Sequence, residues 1–181
     1  MSKFRLLGRF ALYALLALLI ITPIRIWVAQ PFVVSGNSML PSLQEGDYLI
    51  VDELSYATHN PQRGDLIIFH YPLDPNLVFI KRIVALPGEG VRVHNGIVTI
   101  TSSSSTSTQV LSEPYRAISA VPKEEVSVRL HDDEYYVLGD NRIASSDSRA
   151  WGPLLKTFII GRASMRLLPF PRMGLFRSTT Y

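Results

Sequence analysis

The chain has 181 residues and a formal net charge of +3, and 47% of its residues are hydrophobic. This length predicts one globular unit, and the concentration of apolar residues near the N-terminus indicates a membrane anchor. The basic residues form no Lys/Arg-rich run, which argues against nucleic-acid binding. The absence of cysteine excludes disulfides, a thiol nucleophile and a thiolate metal site, and the four histidines lack the spacing of metal ligands.

A long apolar run follows a short basic N-terminus. Lys3, Arg5 and Arg9 precede residues 10–24, FALYALLALLIITPI, and residues 26–28 extend the run past Arg25. Because about 20 apolar residues span a bilayer core, residues 1–30 are predicted to hold a short cytoplasmic tail and one transmembrane helix. The alternative is a cleaved signal peptide, but no small-x-small cleavage site follows the run. Residues 31–181 are then expected on the extracytoplasmic side of the cell membrane.

The segment VSGNSMLPSL, residues 34–43, places Ser38 in a constrained loop. Gly36 and Asn37 are residue types that tolerate tight turns, and Pro41 restricts the residue before it. A hydroxyl held in this way can act as a nucleophile. The alternative is an ordinary turn serine, which is the more common role for serine among Gly, Asn and Pro.

The chain beyond the anchor is predicted to be mainly β. Short segments rich in β-branched and aromatic residues are bounded by turn formers. These predicted strands are Tyr48 to Asp52, Leu66 to Tyr71, Phe79 to Leu86, Tyr135 to Gly139 and Ile159 to Leu167. Residues 91–100, VRVHNGIVTI, alternate around Asn95-Gly96 and predict a hairpin with a type I′ turn. The low-complexity tract from Ser102 to Thr108 is predicted to be a flexible, solvated loop.

Lys81 lies within an otherwise apolar strand, FIKRIVALPGE, next to Arg82. Strand alternation puts Lys81 on the same face as Phe79 and Ile83. Burial there would disfavour the ammonium form and lower the pKa of Lys81, so that a neutral amine could activate a serine. The alternative is an edge-strand lysine with its amine in water.

A dense polar loop, GDNRIASSDSRAWGPL, follows the strand EYYVLG. Asp140, Arg142, Asp147 and Arg149 can form charge-assisted pairs that fix the shape of this loop, and its serines can orient another group. The alternative is a solvated loop with ordinary surface ion pairs.

These segments together resemble the bacterial type I signal peptidases. SGNSMLPSL, GDYLIVDELSY, FIKRIVALPGE and GDNRIASSDSRAWGPL occur in the order and approximate spacing of that family. The resemblance runs from the anchor to GRASMRLLP at residues 161–169. It implies a single-pass membrane protein with a β-rich extracytoplasmic signal-peptidase-like catalytic domain.

The resemblance also assigns roles to single residues. Ser38 matches the serine nucleophile and Lys81 the lysine general base of a Ser-Lys dyad. Ser145 matches the serine that orients the lysine amine. Asp147 with Arg149, and Asp140 with Arg142, match the residues that shape the active-site loop in the family.

The residues around Ser38 bear on the substrate pocket and the oxyanion. Met39 follows the nucleophile as in the family, where this region borders the pocket for the residue before the cut. Some members carry a serine two residues before the nucleophile, whereas this chain has Gly36, as does the family's other branch. The oxyanion is therefore expected to rest chiefly on the backbone N–H of Ser38.

The implied activity is removal of signal peptides from exported pre-proteins at small-x-small sites through an acyl-enzyme. The implied partners are signal peptides, bound as an added strand, the secretion translocon upstream, and the lipid bilayer. Exposed apolar residues are expected near Pro31 to Val34 for contact with that bilayer. No metal, cofactor or nucleic acid is required.

Three other classes of protein share part of this pattern. A Ser-Lys peptidase with a narrower target, as in conjugation systems or organelle inner membranes, would differ mainly in its substrate. Soluble self-cleaving repressors share the dyad but carry a DNA-binding helix-turn-helix in place of an apolar anchor. A membrane-tethered binding module without activity would have no need to retain Ser38, Lys81 and Ser145 together.

Overall fold

The structure is a computed structural model that describes residues 8–10, 12–19, 30–102, 107–117 and 124–176. The described residues after position 30 are mainly β, as predicted. Their strands are β1 (Gln30–Val33), β2 (Tyr48–Asp52), β3 (Leu66–Tyr71), β4 (Asp74–Ala85), β5 (Gly90–His94), β6 (Ile97–Thr101), β7 (Thr108–Val110), β8 (Glu125–Arg129), β9 (Glu134–Leu138), β10 (Leu154–Leu155), β11 (Ile159–Leu168) and β12 (Gly174–Leu175). Two single-turn α-helices, α1 (Ser55–Thr58) and α2 (Ser148–Trp151), interrupt them.

The strands form two antiparallel sheets. The larger sheet has the order β1-β2-β11-β3-β4-β9-β10, with β12 pairing β11, and the smaller sheet has the order β7-β6-β5-β8. The chain leaves the larger sheet after β4, builds the smaller sheet and returns to the larger one at β9. As a result, residues distant in sequence meet where β4 and β9 pair.

Most predicted strands match the structure closely. The predicted hairpin is confirmed: His94 pairs with Ile97, and both Asn95 (φ 48°) and Gly96 (φ 71°) have the positive φ that a type I′ turn requires. The main difference is β4, which begins at Asp74 and not at Phe79. The pairing of β4 with β3 shifts register between His70 and Tyr71, so residues 75–77 have no Cα partner on β3. This irregularity accommodates Pro75, a turn-forming residue, within β4.

Among the described residues, buried apolar side chains form three core clusters, which pack the strands and one loop together. Val34, Met39 and Leu43 from the loop between β1 and β2 are buried in the same cluster as Ile80 of β4. A second cluster contains Ile67, Phe69 and Ile83, with Phe79 packed against it. The third lies on the smaller sheet and includes Leu138 of β9. The first cluster thereby fixes the Ser38 loop against β4.

The described part of the N-terminus is helical at residues 8–10 and 12–19. Within the part of the chain that the structure describes, no helix has both the length and the apolar character needed to cross a bilayer. The rest of the predicted anchor, including residues 20–29, lies outside the described residues. So do residues 103–106 of the Ser/Thr tract, whose last member, Thr108, begins β7.

Candidate active site

Ser38 lies in the loop of residues 34–47, whose two ends are tied together. Val34 N–H donates to Asp47 O at 2.9 Å, and Gly46 N–H donates to Val34 O at 2.9 Å. Gly36 has a φ of 83°, a conformation that side chains other than glycine rarely adopt. The loop is thus held by backbone bonds at its ends and by buried side chains in its middle, which leaves Ser38 partly exposed.

Lys81 reaches this loop from β4. Its Nζ lies 2.8 Å from Ser38 Oγ and 3.0 Å from Ile80 O, and it lies 5.2 Å from the centroid of the Phe79 ring. The contact with Phe79 is the one expected from strand alternation. As an ammonium group, Lys81 donates to both oxygens; as a neutral amine, it can accept the Ser38 proton over the same 2.8 Å.

The amine is strongly desolvated, since Lys81 is only 4% exposed. Burial lowers the pKa of Lys81 from 10.5 to about 8, while the charges of Asp147 and Asp140 act in the opposite direction. A minority of the amine is therefore neutral near pH 7, but this fraction is far larger than for a lysine with a pKa of 10.5.

The loop of residues 139–149 carries a different set of ion pairs from the one predicted. Asp147 accepts from Arg149 Nε at 2.7 Å, as the sequence led us to expect. Asp140, however, pairs with Arg82 at 2.7 and 2.9 Å. Arg142 instead donates to Glu113. Arg82 and Asp140 are adjacent because β4 pairs with β9, directly before the loop, and sequence distance hides this proximity.

Ser145 does not hydrogen-bond to Lys81 in the structure. Its Oγ is buried and has no hydrogen-bond partner among the described residues. It lies against Gly139, where an added Cβ would stand 2.3 Å from Ser145 Oγ and 2.6 Å from Ser38 O. Ser145 is therefore packed at the Ser38 loop, although the predicted bond to the amine is not formed.

Two residues next to the predicted ones also build the site. Asn141 donates through its backbone N–H to Ser38 O at 3.0 Å and through Nδ2 to Asn37 O at 3.2 Å. Gly139 provides the close approach just described. Both were within the quoted loop motif, but an amide and a glycine in a polar loop carry no individual signal in a single sequence.

A pocket of about 240 Å³ opens beside Ser38 and Lys81. Its walls come from β1, the Ser38 loop, β4 and the loop of residues 139–149. The lining residues are Phe32, Ser35, Gly36, Asn37, Ser38, Val78, Phe79, Ile80, Lys81, Ala144 and Ser146. Gly36 thus lines the pocket, whereas Met39 is 1% exposed in the core and is not among the lining residues.

A serine hydroxyl beside a desolvated amine, at the edge of a mostly apolar pocket, is the arrangement of a candidate serine–lysine hydrolase. Comparison with known proteins identifies a peptidase family. The family model "Signal peptidase, peptidase S26" matches residues 7–168. The probable signal peptidase I-1 of Synechocystis is 39% identical over 174 residues, covering 92% of this chain and 85% of its own.

Two further comparisons involve bacterial enzymes. The signal peptidase I of Leptolyngbya laminosa is 40% identical over 159 residues, covering 83% of this chain and 74% of its own. A crystal structure of a signal peptidase I from Enterococcus faecalis is 26% identical and covers 59% of this chain and 98% of its own, with a TM-score of 0.49. On the strength of the family match and the sequence relatives, the chain belongs to the peptidase S26 family, and its enzyme class is signal peptidase I.

Proposed function

We propose that the chain is a membrane-bound serine endopeptidase that removes signal peptides from exported pre-proteins at small-x-small sites. The observation that carries this proposal is the 2.8 Å distance between Lys81 Nζ and Ser38 Oγ, with the amine buried. A general base must lie within hydrogen-bond reach of the proton that it removes, and its pKa should lie near the working pH so that part of it is neutral. Lys81 meets the first condition at 2.8 Å, and its pKa of about 8 meets the second.

The first half of the reaction forms an acyl-enzyme. Neutral Lys81 takes the proton of Ser38 while Oγ attacks the carbonyl carbon of the residue before the cut. The tetrahedral intermediate collapses as the C–N bond breaks, and the Lys81 ammonium gives its proton to the leaving amine. The mature protein departs with a free N-terminus, and the signal peptide remains esterified to Ser38.

The second half returns the enzyme to its starting state. Lys81 takes a proton from a water molecule, and the resulting hydroxide attacks the ester carbonyl. The ester C–O bond breaks, Ser38 Oγ recovers its proton from Lys81, and the signal peptide leaves with a new carboxylate. One base therefore serves both steps.

The negative oxygen of each intermediate needs hydrogen-bond donors. The backbone N–H of Ser38 donates to no acceptor among the described residues, which leaves it available for this purpose. Because Gly36 has no hydroxyl to add, the N–H of Ser38 is proposed to provide most of the stabilisation of the oxyanion. Removing one such donor in another protease costs about 2.7–4 kcal/mol of transition-state stabilisation, which gives the scale of this contribution.

The substrate is proposed to bind as an added strand along β4. Strand β3 pairs with β4 as far as Arg82, whereas β9 pairs only with residues 82–85. On that second side, residues 78–81 have no strand partner among the described residues, and their side chains line the pocket. An extended peptide can use the free backbone groups for affinity and the pocket for its small side chains.

The remaining site residues are proposed to support this geometry. Ser145, packed against Gly139, has a buried hydroxyl without a partner, and such a group is costly unless a partner becomes available. The role proposed for this hydroxyl is to donate to the Lys81 amine when substrate is bound. The Asp147–Arg149 pair, together with Arg142, holds the loop that carries it.

The membrane location rests on the apolar N-terminus and on surface residues near β1. Pro31 and Val33 are exposed, as expected for the Pro31 to Val34 segment, whereas Val34 is buried in the core. Val33 pairs with exposed Tyr48, and exposed Phe170 follows the strand beside it. These residues form an apolar edge suited to a lipid surface, where signal peptides emerge from the translocon.

The experiment is cleavage of a pre-protein with an Ala-x-Ala site by the full chain in liposomes. Wild type should release the mature protein with the expected N-terminus, and Ser38→Ala and Lys81→Ala should each abolish cleavage. Exposed Ser112→Ala and Lys156→Ala are matched controls and should keep wild-type rates. Wild-type cleavage that survives Ser38→Ala would refute the dyad. Folded wild type that is inert on several such pre-proteins would favour the narrower-target or binding-module alternative.

A further inference from the structure

Two arginines of the loop of residues 139–149 have carboxylate partners outside that loop. Arg142 Nη2 donates to Glu113, and the two side chains are only 4% and 5% exposed. Arg149 Nη1 donates to Glu124 Oε1 at 2.6 Å. Glu113 follows β7 and Glu124 precedes β8, so both acids come from the side of the smaller sheet.

The two ion pairs converge on Gly139. Arg142 Nε donates to Gly139 O at 3.0 Å. Arg149 donates to both carboxylate oxygens of Asp147, and Asp147 Oδ2 accepts the Gly139 N–H at 3.0 Å. The carbonyl of Gly139 is therefore held by Arg142, which is paired with Glu113. Its N–H is held by Asp147, which is bound by Arg149, and Arg149 is paired with Glu124.

The position of Gly139 affects the positions of Ser38 and Ser145. An added Cβ there would stand 2.3 Å from Ser145 Oγ and 2.6 Å from Ser38 O, so the backbone already lies in close contact with both residues. The segment that carries Glu113 also binds the same loop, because Ala117 N–H donates to Asp140 O at 3.1 Å. A displacement of Gly139 would thus displace the nucleophile relative to Lys81.

We propose, building on the proposed function, that Glu113 and Glu124 are positioning residues for the peptidase reaction. They hold Arg142 and Arg149, and through them Gly139, at the place where it fixes Ser38 and Ser145. The smaller sheet is then part of the catalytic architecture and not only an appendage of the larger sheet.

The position of the loop also controls the surroundings of Lys81. Burial is the largest influence that lowers its pKa, and the charges that oppose burial are those of Asp147 and Asp140. Arg149 pairs the first of these carboxylates and Arg82 the second. A loosened loop would admit water to the amine and raise the pKa of Lys81. An uncompensated arginine in an unmoved loop would lower it, so the direction of the change distinguishes positioning from a field effect.

The test compares the isosteric variants Glu113→Gln and Glu124→Gln in the full chain with wild type. Glu113→Asp and Glu124→Asp keep the charge but shorten the side chain. Glu125→Gln is the matched control, because Glu125 neighbours Glu124 and pairs with Arg92 on the exposed surface. Three quantities are measured: the kinetics of pre-protein cleavage against pH, amide hydrogen exchange in residues 139–149, and the pKa of Lys81 by NMR.

The proposal expects the Gln variants to lose about 10- to 100-fold in kcat with a smaller change in KM, the order of loss that a misplacement of about 1 Å produces. The midpoint of the rise of kcat/KM with pH should move from about pH 8 towards pH 10.5, and amide hydrogen exchange in residues 139–149 should become faster. The Asp variants should lie between these variants and wild type, and Glu125→Gln should match wild type. Unchanged exchange and pKa, or a pKa that moves down, would overturn the proposal. Inert wild type would refute the proposed function, while exchange and NMR would still decide whether the glutamates hold the loop.

Discussion

Replacing Lys81 with methionine should stabilise the fold while abolishing cleavage. Methionine has a similar length and fills the same space, but it removes a buried ionisable group that is 4% exposed. Burial of this group lowers the stability of wild type, and the variant avoids that cost.

The magnitude follows from the pKa of Lys81. Its lowering from 10.5 to about 8 means that, below pH 8, the ammonium is less favourable in the folded state than in the unfolded state by about 3 kcal/mol. The variant also loses the hydrogen bonds to Ser38 Oγ and Ile80 O, which contribute about 1 kcal/mol each. The expected net gain at pH 7 is therefore about 1–2 kcal/mol.

The gain must depend on pH with a definite sign. Between about pH 8 and 10.5, unfolded wild type binds more protons at this lysine than the folded protein does, so the stability of wild type rises with pH through that window. The advantage of Lys81→Met is thus largest at pH 7 and is lost as the pH approaches 10.5. Exposed Lys156→Met is the matched control for replacing a lysine with methionine.

The assay is urea unfolding of the three proteins at pH 7 and pH 10, followed by tryptophan fluorescence. The free energy of unfolding of Lys81→Met should exceed that of wild type at pH 7 and lose this advantage at pH 10. A variant less stable than wild type at pH 7, or a gain equal at both pH values, would refute the claim that Lys81 is a desolvated amine.

Three shorter predictions follow from the same geometry. The kcat/KM for a substrate without titrating groups should rise with pH through a midpoint near 8 as Lys81 loses its proton; a midpoint near 10.5 would contradict its burial. Gly139→Ala should reduce kcat about 100-fold, because the new Cβ would stand 2.3 Å from Ser145 Oγ, whereas Gly174→Ala, with nothing within 4 Å, should be neutral in the same cleavage assay. Asp47→Ala should lower the free energy of unfolding by about 3–5 kcal/mol in urea titrations, since Asp47 is fully buried between two arginine side chains that would lose their partner.

The strands, the hairpin turn and the face of β4 on which Lys81 lies were predictable because local patterns carry them, whereas the approach of Lys81 to Ser38, 43 positions earlier, was implied only by the family resemblance. Alternation in FIKRIV places Lys81 on the face of Phe79, and the amine indeed lies 5.2 Å from that ring. The Asn95-Gly96 turn follows from the positive φ that both residues tolerate. In each case the physical cause acts within a few residues, so the sequence contains it.

The ion pairs of the loop were less predictable because their partners are chosen by the tertiary fold. Asp140 pairs with Arg82, 58 positions earlier, and Arg142 with Glu113, 29 positions earlier. A single sequence offers Asp140 a nearer candidate in Arg142, and nothing local decides against it. The decision depends on the pairing of β4 with β9 and on the return of the chain from the smaller sheet.

These pairings explain how a lysine can remain a base among carboxylates. Asp140 and Asp147 both act to raise the pKa of Lys81, and without compensation they would favour the ammonium form. Each is paired with an arginine, Asp140 with Arg82 and Asp147 with Arg149, which offsets part of its charge. Arg142 and Arg149 balance the two acids within the loop itself, whereas the pairing of Arg149 with Glu124 adds one further negative charge, and burial remains the largest influence on the pKa of Lys81. The acids therefore shape the site through their arginines, and in the proposed mechanism the proton transfers are made by Lys81.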